Sequence, residues 1–104
     1  SCPPKTPDDH HIIINGRKWR ATDPNIPHEA RTELKHYLAK GRSGVRKSNS
    51  KESSANEEEK IKLARQITSL SNLGLGERGK PEWWNDTDSN RQKRWESALT
   101  ALRE

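Results

Sequence analysis

The chain has little material for a hydrophobic core. It contains no phenylalanine and no methionine, and leucine, isoleucine and valine together make up 15 of its 104 residues. This share is below the roughly 20% at which compact folding becomes difficult, and small domains bury a smaller fraction of their surface than large ones. The four tryptophans must therefore supply a large part of any core that forms.

Potential metal ligands are few and poorly spaced. Cys2 is the single cysteine, so a disulfide within this chain and a zinc site built on paired cysteines are both excluded. The histidines form neither a His-Glu-x-x-His motif nor an i, i+4 pair on one helix; they are His10, His11, His28 and His36. The sequence predicts no metal and no cofactor.

Long apolar runs are also absent. The longest aliphatic stretch is Ile12–Ile14, whereas a membrane-spanning helix needs about 18–20 apolar residues. The sequence has no apolar core of a signal peptide either. We therefore expect no membrane association and an intracellular protein, either cytoplasmic or nuclear.

Signatures of catalysis are missing as well. The sequence has no nucleophile elbow, no paired acid and base constellation and no dinucleotide fingerprint. A small helical domain also offers little room for a closed pocket. We expect no enzyme activity and no small-molecule substrate.

Positive charge is concentrated in one part of the chain. The formal net charge is +5, and residues 16–47 carry nine arginine and lysine residues against three acidic residues. Residues 48–104 balance ten cations with ten anions. A basic segment of this kind attracts polyanions, nucleic acid before anionic membrane.

The first part of the chain indicates a loose arm followed by a β-hairpin. Residues 1–9 are proline-rich and charged, which is typical of a frayed terminus. The dipeptide Asn15-Gly16 suits a type I′ turn, and Ile12–Ile14 and Lys18–Arg20 flank it as short strands. Because a two-stranded ribbon is not stable alone in water, we expect it to lie on the helices that follow.

Three stretches show helical periodicity. The first helix has Asn25 near its cap and Pro27 in its first turn, and Gly74 and Gly76 end the second. Residues 47–57 are polar and serine-rich and predict a flexible connector between these two helices. Thr87 or Asp88 caps the third helix. The apolar faces are Ala30, Leu34, Tyr37, Leu38, Gly41 and Val45 for the first helix, Leu63, Ala64, Ile67 and Leu70 for the second, and Trp95, Ala98, Leu99 and Leu102 for the third.

These elements predict a mainly α fold. A short N-terminal β-hairpin packs on an antiparallel helical hairpin, and a C-terminal helix completes the domain. Residues 10–104 form this single small domain, with the connector at 47–57 inside it and the arm, residues 1–9, outside it.

Two motifs resemble those of a family of small uncharacterised proteins. Residues 15–24 (Asn-Gly-Arg-Lys-Trp-Arg-Ala-Thr-Asp-Pro) resemble the family's Gly-Arg-basic-Trp-Arg start, and Ile26-Pro27 then opens a helix. Residues 75–79 (Leu-Gly-Glu-Arg-Gly) precede a tryptophan pair at 83–84, as in the family's end motif. The resemblance covers about residues 12–84; it implies a compact fold with a helical hairpin and no particular activity.

The chain also departs from this family pattern. The departures are the long serine-rich connector, Lys80 and Glu82 around the proline, and the extension that contains Trp95. They leave the helix lengths and the role of the last helix open.

Each tryptophan has a structural and a functional interpretation. Trp19 lies between cations and either packs as part of a half-buried hairpin or stacks on nucleic-acid bases; the shortage of other large apolar groups favours packing. Of Trp83 and Trp84, we expect one to fill the core and the other to stay partly exposed. Trp84 is the candidate for contact with a partner, and Trp95 is expected to pack.

Residues 76–81 (Gly-Glu-Arg-Gly-Lys-Pro) also have two interpretations. Their glycines permit backbone N–H groups to surround an anion, with Arg78 and Lys80 adding positive charge. The Gly-x4-Gly-Lys-Ser/Thr spacing of a nucleotide-hydrolase loop is absent. The pattern therefore favours a plain helix stop with a solvated Glu77.

The sequence thus predicts a small, basic, tryptophan-rich binding module. The leading interpretation is association with nucleic acid without sequence specificity, through phosphate contacts from the basic segment. The predicted contacts are Arg17, Lys18, Arg20, Arg31, Lys35, Arg42 and Arg46, with Arg78 and Lys80 as a second, weaker set. The alternative is a protein-interaction or scaffold module in which an exposed Trp84 or Trp95 docks on another chain.

Overall fold

The computed structural model describes residues 4–48 and 55–104, including all of their side chains except those of residues 46–48 and 55. In these residues an antiparallel hairpin precedes three α-helices. The first two helices pack against each other and the third packs on both, so the predicted fold class is confirmed. The elements are β1 (His11–Ile14), β2 (Arg17–Arg20), α1 (His28–Ser48), α2 (Ala55–Gly74), a short 3-10 helix (Trp83–Asn85) and α3 (Asp88–Arg103).

The hairpin has the predicted turn. Asn15 and Gly16 both adopt positive φ, 52° and 77°, as a type I′ turn requires. Pro4 and Lys5 continue the sheet beyond β1, since Lys5 bridges to Ile12 and the carbonyl oxygen of Pro4 accepts a 2.9 Å hydrogen bond from the Ile13 N–H. This part of the predicted arm therefore lies against β1, and residues 1–3 are outside the described residues.

The two long helices cross closely. A side-chain Cβ at Gly41 of α1 would lie 2.4 Å from Thr68 Oγ1 and 2.9 Å from the Thr68 nitrogen of α2, so only glycine permits this approach. One turn later, a Cβ at Gly44 would lie 3.0 Å from the Ala64 Cβ. The side of α2 that faces α1 is therefore built of small residues. Leu63, which we predicted on this apolar face, is 58% exposed, and that prediction is wrong because Ala64 takes the inward position.

The predicted end of α2 is confirmed in detail. Gly76 has φ +79°, and its N–H donates to the Leu73 carbonyl oxygen at 3.1 Å while the Glu77 N–H donates to the Asn72 carbonyl oxygen at 2.9 Å. These two bonds define a Schellman motif, which ends a helix with a left-handed glycine. The chain turns there toward the hairpin.

α1 extends to Ser48 and α2 begins at Ala55. The helices therefore enter both ends of the predicted connector, residues 47–57. The centre of that connector, residues 49–54, lies outside the described residues.

The core lies where the three helices meet. Leu34 of α1 and Leu75 after α2 are fully buried. Trp83 is also buried, and its indole Nε1 donates a 2.8 Å hydrogen bond to the Ala21 carbonyl oxygen. Leu34 and Leu75 belong to a central cluster whose other members are Ile26, Ala30, Leu38, Ala98 and Leu99, with Tyr37, Trp95 and Leu102 packed against it.

Asp23 joins several parts of the fold. Its carboxylate is almost fully buried, and it accepts hydrogen bonds from Arg91 Nε of α3 and from the Asn25 backbone N–H, both at 2.9 Å. Its own backbone N–H donates to the Leu75 carbonyl oxygen at 2.9 Å. The Arg91 guanidinium also lies 5.2 Å from the Trp83 ring centroid, and its hydrogen bonding to Asp23 raises the pKa of Arg91.

The start of α3 is capped as predicted. Thr87 is the N-cap, and its hydroxyl accepts a 3.1 Å hydrogen bond from the Asn90 backbone N–H. The preceding Asp86 accepts from the Asn90 side chain, from the Thr87 backbone N–H and from Arg94 Nη2, at 2.8–3.0 Å. These hydrogen bonds, the one from the Asn90 side chain foremost, lower the pKa of the Asp86 carboxyl.

The lowered pKa of Asp86 predicts a pH-dependent contribution to stability. Since the folded-state pKa lies below the unfolded value of about 3.9, the ionised carboxylate stabilises the fold above that pH, and this contribution is lost as the pH falls through the folded-state pKa. We expect Asp86→Asn to lower the free energy of unfolding at about pH 6 and to have a shrinking effect below about pH 4. Urea titrations across this range would measure it, and a deficit that stays constant with pH would contradict it.

No helix in residues 4–48 and 55–104 combines the length and the apolar character that crossing a lipid bilayer requires.

Candidate binding surface

The three arginines of α3 have protein partners. Arg91 binds Asp23, Arg94 binds Asp86, and Arg103 of α3 forms two 2.7 Å hydrogen bonds with Glu33 of α1. The hydrogen bond from Arg103 lowers the pKa of Glu33. These cations hold the helices together, and a pairing of this kind leaves little charge for a ligand.

Two of the predicted phosphate contacts, Arg20 and Arg31, have polar neighbours within the protein. Arg20 Nη1 donates a 2.8 Å hydrogen bond to the Gly79 carbonyl oxygen and lies 5.8 Å from the Trp84 ring centroid. Arg31 Nη2 lies 3.4 Å from the Nδ1 of His28. Arg20 therefore fastens the hairpin to the loop after α2.

The other predicted contacts are exposed. With the described residues they form no hydrogen bond or ion pair, although the Arg17 guanidinium lies over the Trp19 ring, 5.1 Å from its centroid. Arg46 is also a predicted contact, but its side chain lies outside the part of the structure that is described. The exposed set is Arg17, Lys18, Lys35, Arg42, Arg78 and Lys80.

Three arginines from three elements line one open groove of about 850 Å³. Arg42 comes from α1, Arg65 from α2 and Arg78 from the loop after α2; the other lining residues are Ala39, Val45, Thr68 and Ser69. We call this the arginine groove. The predicted contacts Arg31 and Lys35 do not line it, although they share α1 with Arg42.

Sequence reasoning missed Arg65. The charges of residues 48–104 balance, so nothing in a segment-wise count draws attention to one arginine there. The available signal was its helical phase: Arg65 lies one turn before Ser69 and next to Ala64, which faces α1. Only the close crossing at Gly41 shows that this phase places Arg65 beside Arg42.

The two faces of the hairpin differ. Residues paired across the strands share a face, so the pairs Ile12 with Trp19 and Ile14 with Arg17 lie together on one side. On this side Trp19 is 47% and Ile14 is 42% exposed. We call it the outer face. The opposite face carries His11, Ile13, Lys18 and Arg20.

The prediction that Trp19 packs into the structure is wrong. The hairpin contacts the body through the opposite face, where Arg20 reaches Gly79 and the His11 ring meets the Trp84 ring at 5.1 Å. The space beneath the hairpin is filled by the pair at 83–84, so no place remains for a third indole. The shortage of core residues is met by Trp83 instead.

Trp84 is the partly exposed member of its pair, as expected, but its ring has aromatic neighbours. It stacks on His10 with centroids 4.3 Å apart and planes 8° apart, and it meets the edge of Trp83 at 5.2 Å. Trp95 is half-buried against the core, also as expected. Trp19 is therefore the most exposed indole, and the proposed partner contact at Trp84 would have to use a ring that is already stacked.

The loop at 76–81 connects the hairpin with the arginine groove. Gly76 serves the helix stop, as predicted, whereas Glu77 is not fully solvated because its Oε2 accepts a 2.7 Å hydrogen bond from Thr22 Oγ1. Gly79 binds Arg20, and between these two fixed points Arg78 reaches the groove. The outer face and the arginine groove are thus positioned by one short segment.

Within residues 4–48 and 55–104, no three histidine, cysteine or acidic side chains lie together as metal ligands. The chain was compared with family models, curated protein sequences and solved structures, and none of them matches it. The resemblance to the family with the tryptophan-pair end motif therefore stays a prediction, and no family is assigned.

Proposed function

We propose that the protein is a binding module for nucleic acid without sequence specificity. The observation that carries this proposal is the outer face of the hairpin, where the exposed indole of Trp19 lies under the Arg17 guanidinium. An exposed aromatic ring beside cations is how many proteins hold single strands, because any base can stack on the ring while the cations neutralise phosphates.

The remaining exposed cations lie near the outer face but not on it. Lys18 is on the opposite face of the hairpin, and Arg78 and Lys80 lie on either side of Gly79, which Arg20 binds from that opposite face. Within the described residues no ion pair forms at Arg17, Lys18, Arg78 or Lys80, so these cations are available for phosphate contacts. The absence of sequence preference follows from contacts made by stacking and by charge, which do not read base edges.

The stacking role predicts a large effect of Trp19→Ala on single-strand binding. Loss of one stacked base costs about 1–3 kcal/mol, so affinity should fall by a factor of about 5–150. Trp19→Phe keeps a ring and should lose less. Fluorescence anisotropy with a labelled oligothymidylate and an RNA of mixed sequence would measure both variants.

Salt dependence separates charge from stacking in the same assay. Because single strands release about 0.7 counterion per neutralised phosphate, Lys18→Gln should reduce the slope of log affinity against log salt by about 0.7. Lys93→Gln on α3 makes the same charge change away from the hairpin and should leave the salt slope unchanged. Trp19→Ala should lower the affinity without changing the salt slope. Undetectable DNA and RNA binding by the unmodified protein at low ionic strength would rule the proposal out.

A protein-interaction or scaffold role is the second candidate. The adjacent exposed side chains Ile14 and Trp19 favour it, because they form an apolar surface that another chain would cover. Affinity capture with and without nuclease distinguishes the two candidates. Partners that persist after nuclease treatment and disappear with Trp19→Ala would support the second.

A further inference from the structure

The arginine groove brings three positive charges together by the architecture of the fold. Arg42 follows Gly41, where α1 and α2 approach closely, and Arg65 lies one turn before Ser69 on the facing helix. Arg78 is directed there by the loop that follows the Schellman motif at Gly76. The convergence therefore depends on features that also determine the helix packing.

The groove contains no described counter-charge. None of its lining residues is acidic, and with the described residues Arg42, Arg65 and Arg78 form no ion pair. The arginines of α3, by contrast, are paired with acids, as Arg91 with Asp23 and Arg103 with Glu33. Clustered cations without an acid repel one another, and a groove lined by one sign of charge concentrates anions.

The other lining groups suit an oxyanion. Ala39 and Val45 provide apolar surface beside the cations. Thr68 uses its hydroxyl hydrogen on the Ala64 carbonyl oxygen at 2.9 Å, whereas the exposed Ser69 hydroxyl has no described partner and is free to donate. Guanidinium groups donate through two parallel N–H bonds that match phosphate oxygens.

We propose that the arginine groove is a binding site for a polyphosphate group. A single phosphodiester carries one negative charge, whereas linked phosphates carry three or more on a compact group and match three guanidiniums. The polyphosphate belongs either to the 5′-triphosphate end of an RNA or nucleotide, or to free inorganic polyphosphate. This inference does not depend on the outer face of the hairpin.

Calorimetric titration of the full chain with inorganic tripolyphosphate tests the site. We expect saturable binding that Arg65→Gln weakens by a factor of about 10–150, the range for a charge-assisted hydrogen bond. Arg65→Lys keeps the charge but loses the paired donors, and should restore only part of the affinity. Lys93→Gln removes a charge from α3 outside the groove and is the matched control.

Two results would overturn the proposal. One is no binding of tripolyphosphate by the unmodified protein at low salt. The other is an equal loss of affinity in Arg65→Gln and Lys93→Gln, which would show that only the net charge of the protein matters. Arg65 is exposed, and unchanged circular dichroism of its variants would confirm that the fold is retained.

A second comparison identifies the source of the phosphates. If a 5′-triphosphate RNA binds more tightly than the same RNA with a 5′-hydroxyl, the ligand is the RNA end. If the two RNAs bind equally while tripolyphosphate still binds, the ligand is free polyphosphate. The 5′-hydroxyl RNA also keeps the two proposals separate. Its binding tests the nucleic-acid function, while tripolyphosphate binding tests the groove.

Discussion

Replacing Asp23 with alanine is expected to lower the free energy of unfolding by about 3–5 kcal/mol, because removal of one member of a buried ion pair leaves the other charge without compensation. The Arg91 side chain is only 13% exposed, so water cannot replace the lost carboxylate. The Asn25 backbone N–H loses its acceptor as well. Urea titration followed by tryptophan fluorescence and far-ultraviolet circular dichroism would measure the change.

Asp88 provides a matched control for this prediction. It also pairs with Arg91, at 3.7 Å, but its side chain is 92% exposed, and exposed pairs contribute about 0–1 kcal/mol. Asp88→Ala should therefore cost less than about 1 kcal/mol. Equal effects of the two substitutions would show that burial of Asp23 does not determine the strength of its interaction.

Leu34→Ala is expected to cost a similar amount, about 3–5 kcal/mol. Leu34 has no exposed surface, and its Cδ2 would lie 2.8 Å from a Cβ added at Gly74, so it fills the junction of α1 with the end of α2. The cavity left by truncation adds to the lost burial. Because folded domains are stable by only about 5–15 kcal/mol in total, the variant should melt far below the unmodified protein.

The control for Leu34 is Leu63→Ala on α2. Leu63 is 58% exposed, so truncation removes little buried surface and places a better helix former on the helix. We expect a change within about 0.5 kcal/mol. A large loss in this variant would show that the outward side of α2 is covered in solution.

Features decided by local chemistry were predictable from the sequence. The turn at Asn15-Gly16, the helix end at Gly76 and the cap at Thr87 each depend on the conformational preference or hydrogen bonding of neighbouring residues. The apolar face of α1 was predictable for the same reason, since its spacing repeats within one helix.

Features decided by distant residues were not predictable. The alternation of side chains along β2 places Trp19 and Arg20 on opposite faces, but it does not say which face meets the rest of the protein. Trp83 and Trp84 decide that, and they follow α1 and α2 in the sequence. Arg65 lines the arginine groove only because of the way α2 is rotated about its axis where it packs on α1. The partner of Asp23 is Arg91, 68 positions later, and no local pattern around Asp23 indicates this pair.

The pairing of Asp23 with Arg91 has a consequence for the order of events during protein synthesis. The chain emerges from the ribosome N-terminus first, so the hairpin, α1 and α2 are complete before Arg91 is available. Until then the Asp23 carboxylate has no cation beside it, and its burial is unfavourable. We therefore expect the core to close only after α3 has been made.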